Sequence, residues 1–172
     1  MNDSATSRFN YFTTKIYPDF AKDFMLHTLI FVPSYFDFVR VRNWMTKTDV
    51  DFQEISEYTL AKTTAKARDH FFHGECHFLL YTERAHFYKR YNLKGVRHLV
   101  FYQIPQYAEF FAEIANFVMP GLQNKKSGSA DNLSVTVLFD KYDSARLAEV
   151  LGTERAQQMV TGQKSVHLVQ TG

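Results

Sequence analysis

Continuous apolar runs of strand length recur along this chain, and the clearest of them are followed by stretches of helical pattern. HTLIFVPS, residues 27–34, stops at Pro33 and leaves Ser34 to cap the next helix. CHFLLYT, 76–82, and GVRHLVFYQIP, 95–105, repeat the scheme, the second again stopped by proline. LSVTVLFDK and KSVHLV are later strand candidates, and DFQEISEY is a weaker one. A strand without polar alternation is buried on both faces, and strands separated by helices join in parallel. The expected fold is therefore α/β: a three-layer, doubly wound, mostly parallel sheet with helices on both faces. Ligands in that class sit beyond the carboxyl ends of the strands. Three places then matter: Pro33-Ser34-Tyr35, Thr82-Glu83-Arg84 and Pro105-Gln106.

The helical stretches carry matching apolar faces. SYFDFVRVRNWMTK aligns Phe38, Val41 and Met45, and YAEFFAEIANFVM aligns Phe110, Ile114 and Phe117. TLAKTTAKARDHFF closes at Gly74, a plausible C-cap. ERAHFYKRYN, DSARLAEVL and TERAQQMV read as helices, and TTKIYPDFAKDFM as a short one with Ile16, Phe20 and Phe24 in step. Residues 1–12 read as a tether and 13–172 as one domain, with PGLQNKKSGSADN as a surface loop. A length of 172 residues suits a single core, and no internal repeat divides it.

The net charge of +2 is too small to announce a polyanion partner, so any electrostatic site must arise by local clustering. One cysteine excludes an internal disulfide and suits a reducing compartment. The polar opening MNDSATSRFNYF lacks the apolar core of a signal peptide. No apolar run nears the roughly 20 residues a membrane helix needs. We expect a soluble, intracellular protein with no membrane partner.

Residues 70–91, HFFHGECHFLLYTERAHFYKRY, concentrate the candidate chemistry. His70, His73, Cys76 and His77 have the side chains of a zinc site, but a helix end running into a strand would send them in different directions. Cys76 precedes an apolar strand with Glu75 beside it, a poor setting for a thiolate nucleophile. The tail is more telling. Between Thr82 and His98 stand Arg84, Lys89, Arg90, Lys94 and Arg97 against the single acid Glu83, with Tyr88 and Tyr91 interleaved. That pattern fits either a solvated helix face or a phosphate-contacting patch at a strand end.

The register of FFHGECHFLLYTE resembles the second RecA-like domain of superfamily 2 RNA helicases, where a strand ends in Thr-Asp facing nucleic acid. LIFVPS resembles that domain's first strand, and GVRHLVFYQIP the later strand that ends in an acid and proline, with Gln103 here replacing the acid. More specifically, LIFVPSYFDFVRVRNW, FLLYTERAHFYKRY, VRHLVFYQIP and LGTERAQQM resemble the C-terminal part of the U3 small nucleolar RNA-associated protein 25 family, over about residues 27–169. That resemblance implies a nucleolar protein of the small-subunit processome, acting in ribosome biogenesis and 18S pre-rRNA processing. Its implied partners are pre-ribosomal RNA or U3 small nucleolar RNA, processome proteins, and a first RecA-like domain of the same full-length protein.

The resemblance also bears on catalysis. No Walker-type phosphate loop occurs in the chain. The helix after QIP, which in active relatives carries arginine fingers, holds Glu109 and Glu113 and neither Lys nor Arg. An arginine finger contributes roughly 10³–10⁵ in rate, so the expectation is a non-catalytic, pseudo-helicase module without cofactor or metal. Arg155, in GTERAQQM, is the one cation that could argue otherwise. The residues expected to contact RNA are Thr82, Arg84, Lys89 and Arg90, with Ser34, Tyr35, Arg40 and Arg42 as a second edge. Two alternatives stay open: the second half of an active ATP-dependent helicase, and a protein-binding scaffold anchored by Phe87 and Trp44.

Overall fold

The computed structural model describes residues 4–127 and 132–169. Its centre is a five-stranded sheet in the order β2-β3-β1-β4-β5, with every pairing parallel. The strands are β1 (Thr28–Val32), β2 (Phe52–Ile55), β3 (Phe78–Thr82), β4 (His98–Phe101) and β5 (Ser134–Val137). Every residue of β1, β3 and β4 is buried, as continuous apolar runs require of strands covered on both faces. Register sets Phe31 between Tyr81 and Phe101, with ring centroids 6.0 and 5.6 Å away.

Alternation along the strands divides the core in two. Leu29, Phe31, Leu79, Tyr81, Leu99 and Phe101 face α4 (Ala61–His73), α5 (Glu83–Lys89) and α6 (Ala108–Ala115). Ile30, Val32, Leu80 and Val100 face α3 (Tyr35–Lys47), which presents Phe38, Val41 and Met45. Three crossovers thus lie on one side and one on the other. That imbalance explains the first correction to the sequence reading.

The segment read as a tether is helical over its described part, α1 (Ser4–Tyr11), and continues as a π-helical turn, Phe12–Ile16, into α2 (Tyr17–Phe20). These elements cover what α3 alone leaves bare. Phe12 and Phe20 are buried, and Phe9, Phe12 and Tyr17 set their rings edge-on to Trp44. Trp44, expected as an exposed anchor, is therefore half-buried under the chain's first helices. Met1–Asp3 lie outside the described residues.

Other expectations need adjusting at their ends. KSVHLV forms no strand over its described residues, because Val166 and Leu168 point into solvent with no sheet face to fill. GVRHLVFYQIP contributes only four ladder residues. The helix ERAHFYKRYN stops at Lys89, because Arg90 turns left-handed, φ 45°. Gly74 caps α4 in the left-handed conformation, φ 72°, as its position suggested. Gly95, φ 86°, sits where a Cβ would lie 3.0 Å from the Phe72 ring and 3.3 Å from its Cα. Two further helices, α7 (Ser144–Leu151) and α8 (Thr153–Thr161), close a small satellite core with Ile104 through Leu147 and Ala156. Among the described residues no helix is long and apolar enough to cross a membrane.

A candidate nucleic-acid interface at the carboxyl rim

The chain leaves β1 toward one face and the adjacent strands β3 and β4 toward the other, so their carboxyl ends diverge and open a crevice. A hollow of about 310 Å³ lies there, lined by Pro33 after β1, Glu83, Arg84, Phe87 and Tyr88 of α5, and Gln106 and Tyr107 before α6. A second hollow of about 410 Å³ lies between α5 and the turn after β2. Arg84 and Tyr88 form the ridge between the two.

The rim is rich in exposed rings. Tyr88 and Tyr58 are 60% and 68% accessible and Phe87 is 48%, far more than core rings allow. Phe87 stacks on Tyr107 at 5.6 Å, while Tyr35 lies over Phe38 and edge-on to Tyr58. Phe36 is almost wholly exposed at the start of α3. These rings come from four segments distant in sequence, and only Tyr35, Phe87 and Tyr88 among them stand out from the sequence alone. Glu57 and Tyr58 were hidden inside a stretch read as strand; Ser56 and Thr59 instead bond across it as a turn.

Buried acids organise the backbone beneath. The Glu83 carboxylate accepts the Gln106 N–H at 2.9 Å and the Tyr107 N–H at 3.2 Å, fixing the entry to α6. Burial raises its pKa, opposed by those two N–H groups and by the charge of Arg146. Thr82 caps α5: its hydroxyl donates to Glu57 Oε2 at 3.1 Å and accepts the Ala85 N–H at 3.2 Å. Ser34 caps α3 by accepting the Asp37 N–H.

The expected cations reach several different surroundings. Arg84 is exposed, with Nε 3.7 Å from Glu57 Oε1 and its guanidinium 5.9 Å from the Tyr88 ring centre. Lys89 is exposed beside the second hollow. Arg90 bonds Glu113 Oε1 and lies 4.6 Å over Phe110. Arg42 faces Glu54 at 3.8 Å along β2. Arg40 turns toward α1, over the Phe9 ring at 4.4 Å and within hydrogen-bond reach of Thr6. The rim thus gathers Tyr35, Thr82, Arg84 and Lys89, whereas Arg40, Arg42 and Arg90 are drawn toward neighbouring elements.

Glu113, on the helix that lacks cations, anchors a line into the sheet. His86 Nε2 donates to Glu113 Oε2 at 2.7 Å, which leaves Nδ1 to accept the Tyr81 hydroxyl at 3.0 Å. Burial lowers the His86 pKa despite Glu113, so the ring stays neutral and this tautomer satisfies every atom. Burial opposes ionisation of Glu113, but the bonds from His86 and Arg90 hold its carboxyl below the usual range. Glu113→Ala would strand the buried His86 N–H. Its expected cost is about 1–3 kcal/mol, read by urea denaturation.

The zinc-like quartet scatters. His70 faces Glu75 at 3.4 Å, His73 faces Asp69 at 3.3 Å, and His77 Nε2 donates to the Phe20 carbonyl at 2.6 Å. Among the described residues no three His, Cys, Asp or Glu side chains converge. Burial, with Asp51 nearby, pushes the Cys76 thiol up to about 12, so it is protonated at neutral pH. Arg155 is exposed on α8.

Comparison with known proteins places this geometry in context. The family model described as Utp25, C-terminal domain, matches residues 1–169. The chain is 49% identical over 166 residues to the human U3 small nucleolar RNA-associated protein 25 homolog, covering 96% of this chain and 21% of that protein. It is 42% identical over 161 residues to U3 small nucleolar RNA-associated protein 25 of Botryotinia fuckeliana, covering 90% and 22%. Protein NUCLEOLAR FACTOR 1 of Arabidopsis thaliana is 36% identical over 160 residues, 93% and 20%. The chain thus spans about a fifth of the length of the curated relatives it matches. In fold it is similar to the DEAD-box protein SrmB of E. coli, TM-score 0.62, 14% identity, covering 86% of this chain and 79% of that one. It is equally similar to the C-terminal domain of the DEAD-box protein Dbp5, TM-score 0.61, 14% identity, 84% and 77%.

Proposed function

The chain belongs to the Utp25 C-terminal domain family, and from that premise we propose that it is a non-catalytic docking module of a U3 small nucleolar RNA-associated protein. It serves small-subunit ribosome biogenesis in the nucleolus, holding pre-ribosomal or U3 RNA and processome proteins at the carboxyl rim of its sheet. The observation that carries this reading is the rim itself. Exposed rings and Arg84 gather where a RecA-like sheet meets ligands, while the adjoining helix α6 carries Glu113 bound to His86 and Arg90. Aromatic faces take unpaired bases, and arginine takes phosphate or the base plane.

Crosslinking within the assembled particle tests the proposal. RNA adducts are expected across residues 82–98, centred on Tyr88, and charge reversal at Arg84 and Lys89 together, the cations the rim gathers, should lower them several-fold. Unchanged adducts in that variant would overturn it. Phe36 and Leu60, 89% and 75% exposed, favour protein docking on the same rim. Protein adducts without any RNA adduct would make the module a scaffold. RNA-stimulated ATP hydrolysis by the complete protein, lost on changing Arg155, would make it a helicase half instead.

A further inference from the structure

The second hollow holds an acceptor with nothing to accept. The Glu57 side chain is only 7% exposed, and its Oε2 takes the Thr82 hydroxyl. Its Oε1 is shut off from solvent and receives no hydrogen bond; the nearest cation, Arg84 Nε, stands 3.7 Å away. A buried carboxylate oxygen left without a donor is costly, so one covered only by an exposed arginine at the wall of a hollow marks a place for a further partner. The hollow of about 410 Å³ is walled by Tyr58, Tyr88 and Tyr91, with Arg84 and Lys89 at its mouth.

These surroundings restrict the occupant. It must be flat to lie against tyrosine rings and must present N–H donors to Glu57. It must also tolerate Arg84 and Lys89, which disfavours the cationic guanidinium of a partner protein. A nucleotide divides its chemistry in the required way, with a neutral donor edge on the base and an anion on the phosphate. Among the four bases, guanine alone sets two donor groups side by side, N1–H and N2–H₂, matching the two oxygens of a carboxylate. Adenine and cytosine place an acceptor beside their single amino group, and uracil flanks its one N–H with carbonyls.

We propose that this hollow is a single-nucleotide site selecting an unpaired guanine in single-stranded RNA. Glu57 accepts from the Watson–Crick edge, Tyr88 stacks on the base, and Arg84 and Lys89 take the adjoining phosphate. Arg84 is 58% exposed, its Nη2 only 3.4 Å from the Tyr88 hydroxyl, so turning outward to the phosphate uncovers Oε1 as the base enters. This inference rests on the RNA-docking reading and adds a base preference to it.

Fluorescence anisotropy with U-rich oligonucleotides of about ten nucleotides, identical except for one central G, A, C or U, tests it. The G oligonucleotide is expected to bind about tenfold tighter than the others, with inosine, which lacks the N2 amine, in between. Glu57→Gln should erase the preference, bringing the G strand to within about twofold of the A, C and U strands. Because Glu57 is buried, Tyr88→Ala provides a second, surface variant: it should weaken every strand about tenfold and keep the order of bases. Binding without base discrimination would overturn the guanine site and leave RNA docking standing. Failure to bind any strand, with capture of an arginine-bearing peptide that Glu57→Gln abolishes, would overturn both.

Discussion

Arg8→Ala is expected to lower the unfolding free energy by about 3–5 kcal/mol, among the largest effects available to a point change outside the sheet. The Arg8 side chain is 8% exposed, and its Nη2 lies 2.7 Å from Asp140 Oδ2 and 3.2 Å from Asp143 Oδ2. Those two acids already share a reciprocal cap, the Asp140 backbone N–H donating to Asp143 and the Tyr142 N–H to Asp140. The Ser4 hydroxyl also bonds Asp140. Removing the guanidinium leaves two neighbouring carboxylates, one of them 4% exposed, without a countercharge. Arg8→Lys should recover part of the loss, because one nitrogen, Nη2, meets both acids and an ammonium can replace it only as far as the shorter lysine stem reaches. Urea denaturation measures both variants. A loss below about 1 kcal/mol would mean that the first helix contributes no more than a surface ion pair.

Acid should destabilise the fold well before its carboxylates are neutralised. Burial, reinforced by Arg97 and by His27 and His77, lowers the His98 pKa to about 4. The His98 Nδ1 lies 2.9 Å from the Ser134 hydroxyl and its Nε2 has no partner, so a second ring proton would be buried with neither acceptor nor countercharge. Burial lowers His27 as well, against the pull of the Phe71 carbonyl. The unfolded chain takes up these protons near pH 6.5 while the folded protein refuses them, so stability is full above that value. It falls as pH drops toward 4, where His98 protonates in the folded state too and its loss levels off. For His98 alone the linkage amounts to on the order of 3 kcal/mol. Burial shifts Glu83 and Glu54 upward, which works in the opposite direction just above their ordinary range. Unfolding free energies measured from pH 7 to 4 should slope down, and His98→Gln should flatten the slope. A slope unchanged in that variant would refute the assignment to His98.

Much of the architecture was legible because burial writes itself into hydropathy. Three central strands, the faces of α3 and α6, the Ser34 cap and the Gly74 stop follow from local pattern alone. The first helix did not, because its stability is borrowed: Phe9, Phe12 and Tyr17 make sense only against Trp44, which lies some thirty residues later. The same holds at the rim. Thr82 and Arg84 could be placed from the end of an apolar run, but Glu57 could not. Its meaning comes from Thr82 and Arg84 arriving from another strand end. The fate of Arg90 was equally non-local, since Glu113 claims it across the gap between two helices.

Gly95 has a consequence beyond its own turn. With φ at 86° and the Phe72 ring and backbone at 3.0 and 3.3 Å from any added carbon, the path from α5 to β4 is as narrow as bare main chain. The surface on either side can exchange one charge or ring for another and still fold. Any side chain at this crossing is strained by its backbone and pressed against Phe72, so the connection resists the sequence change that the rim absorbs.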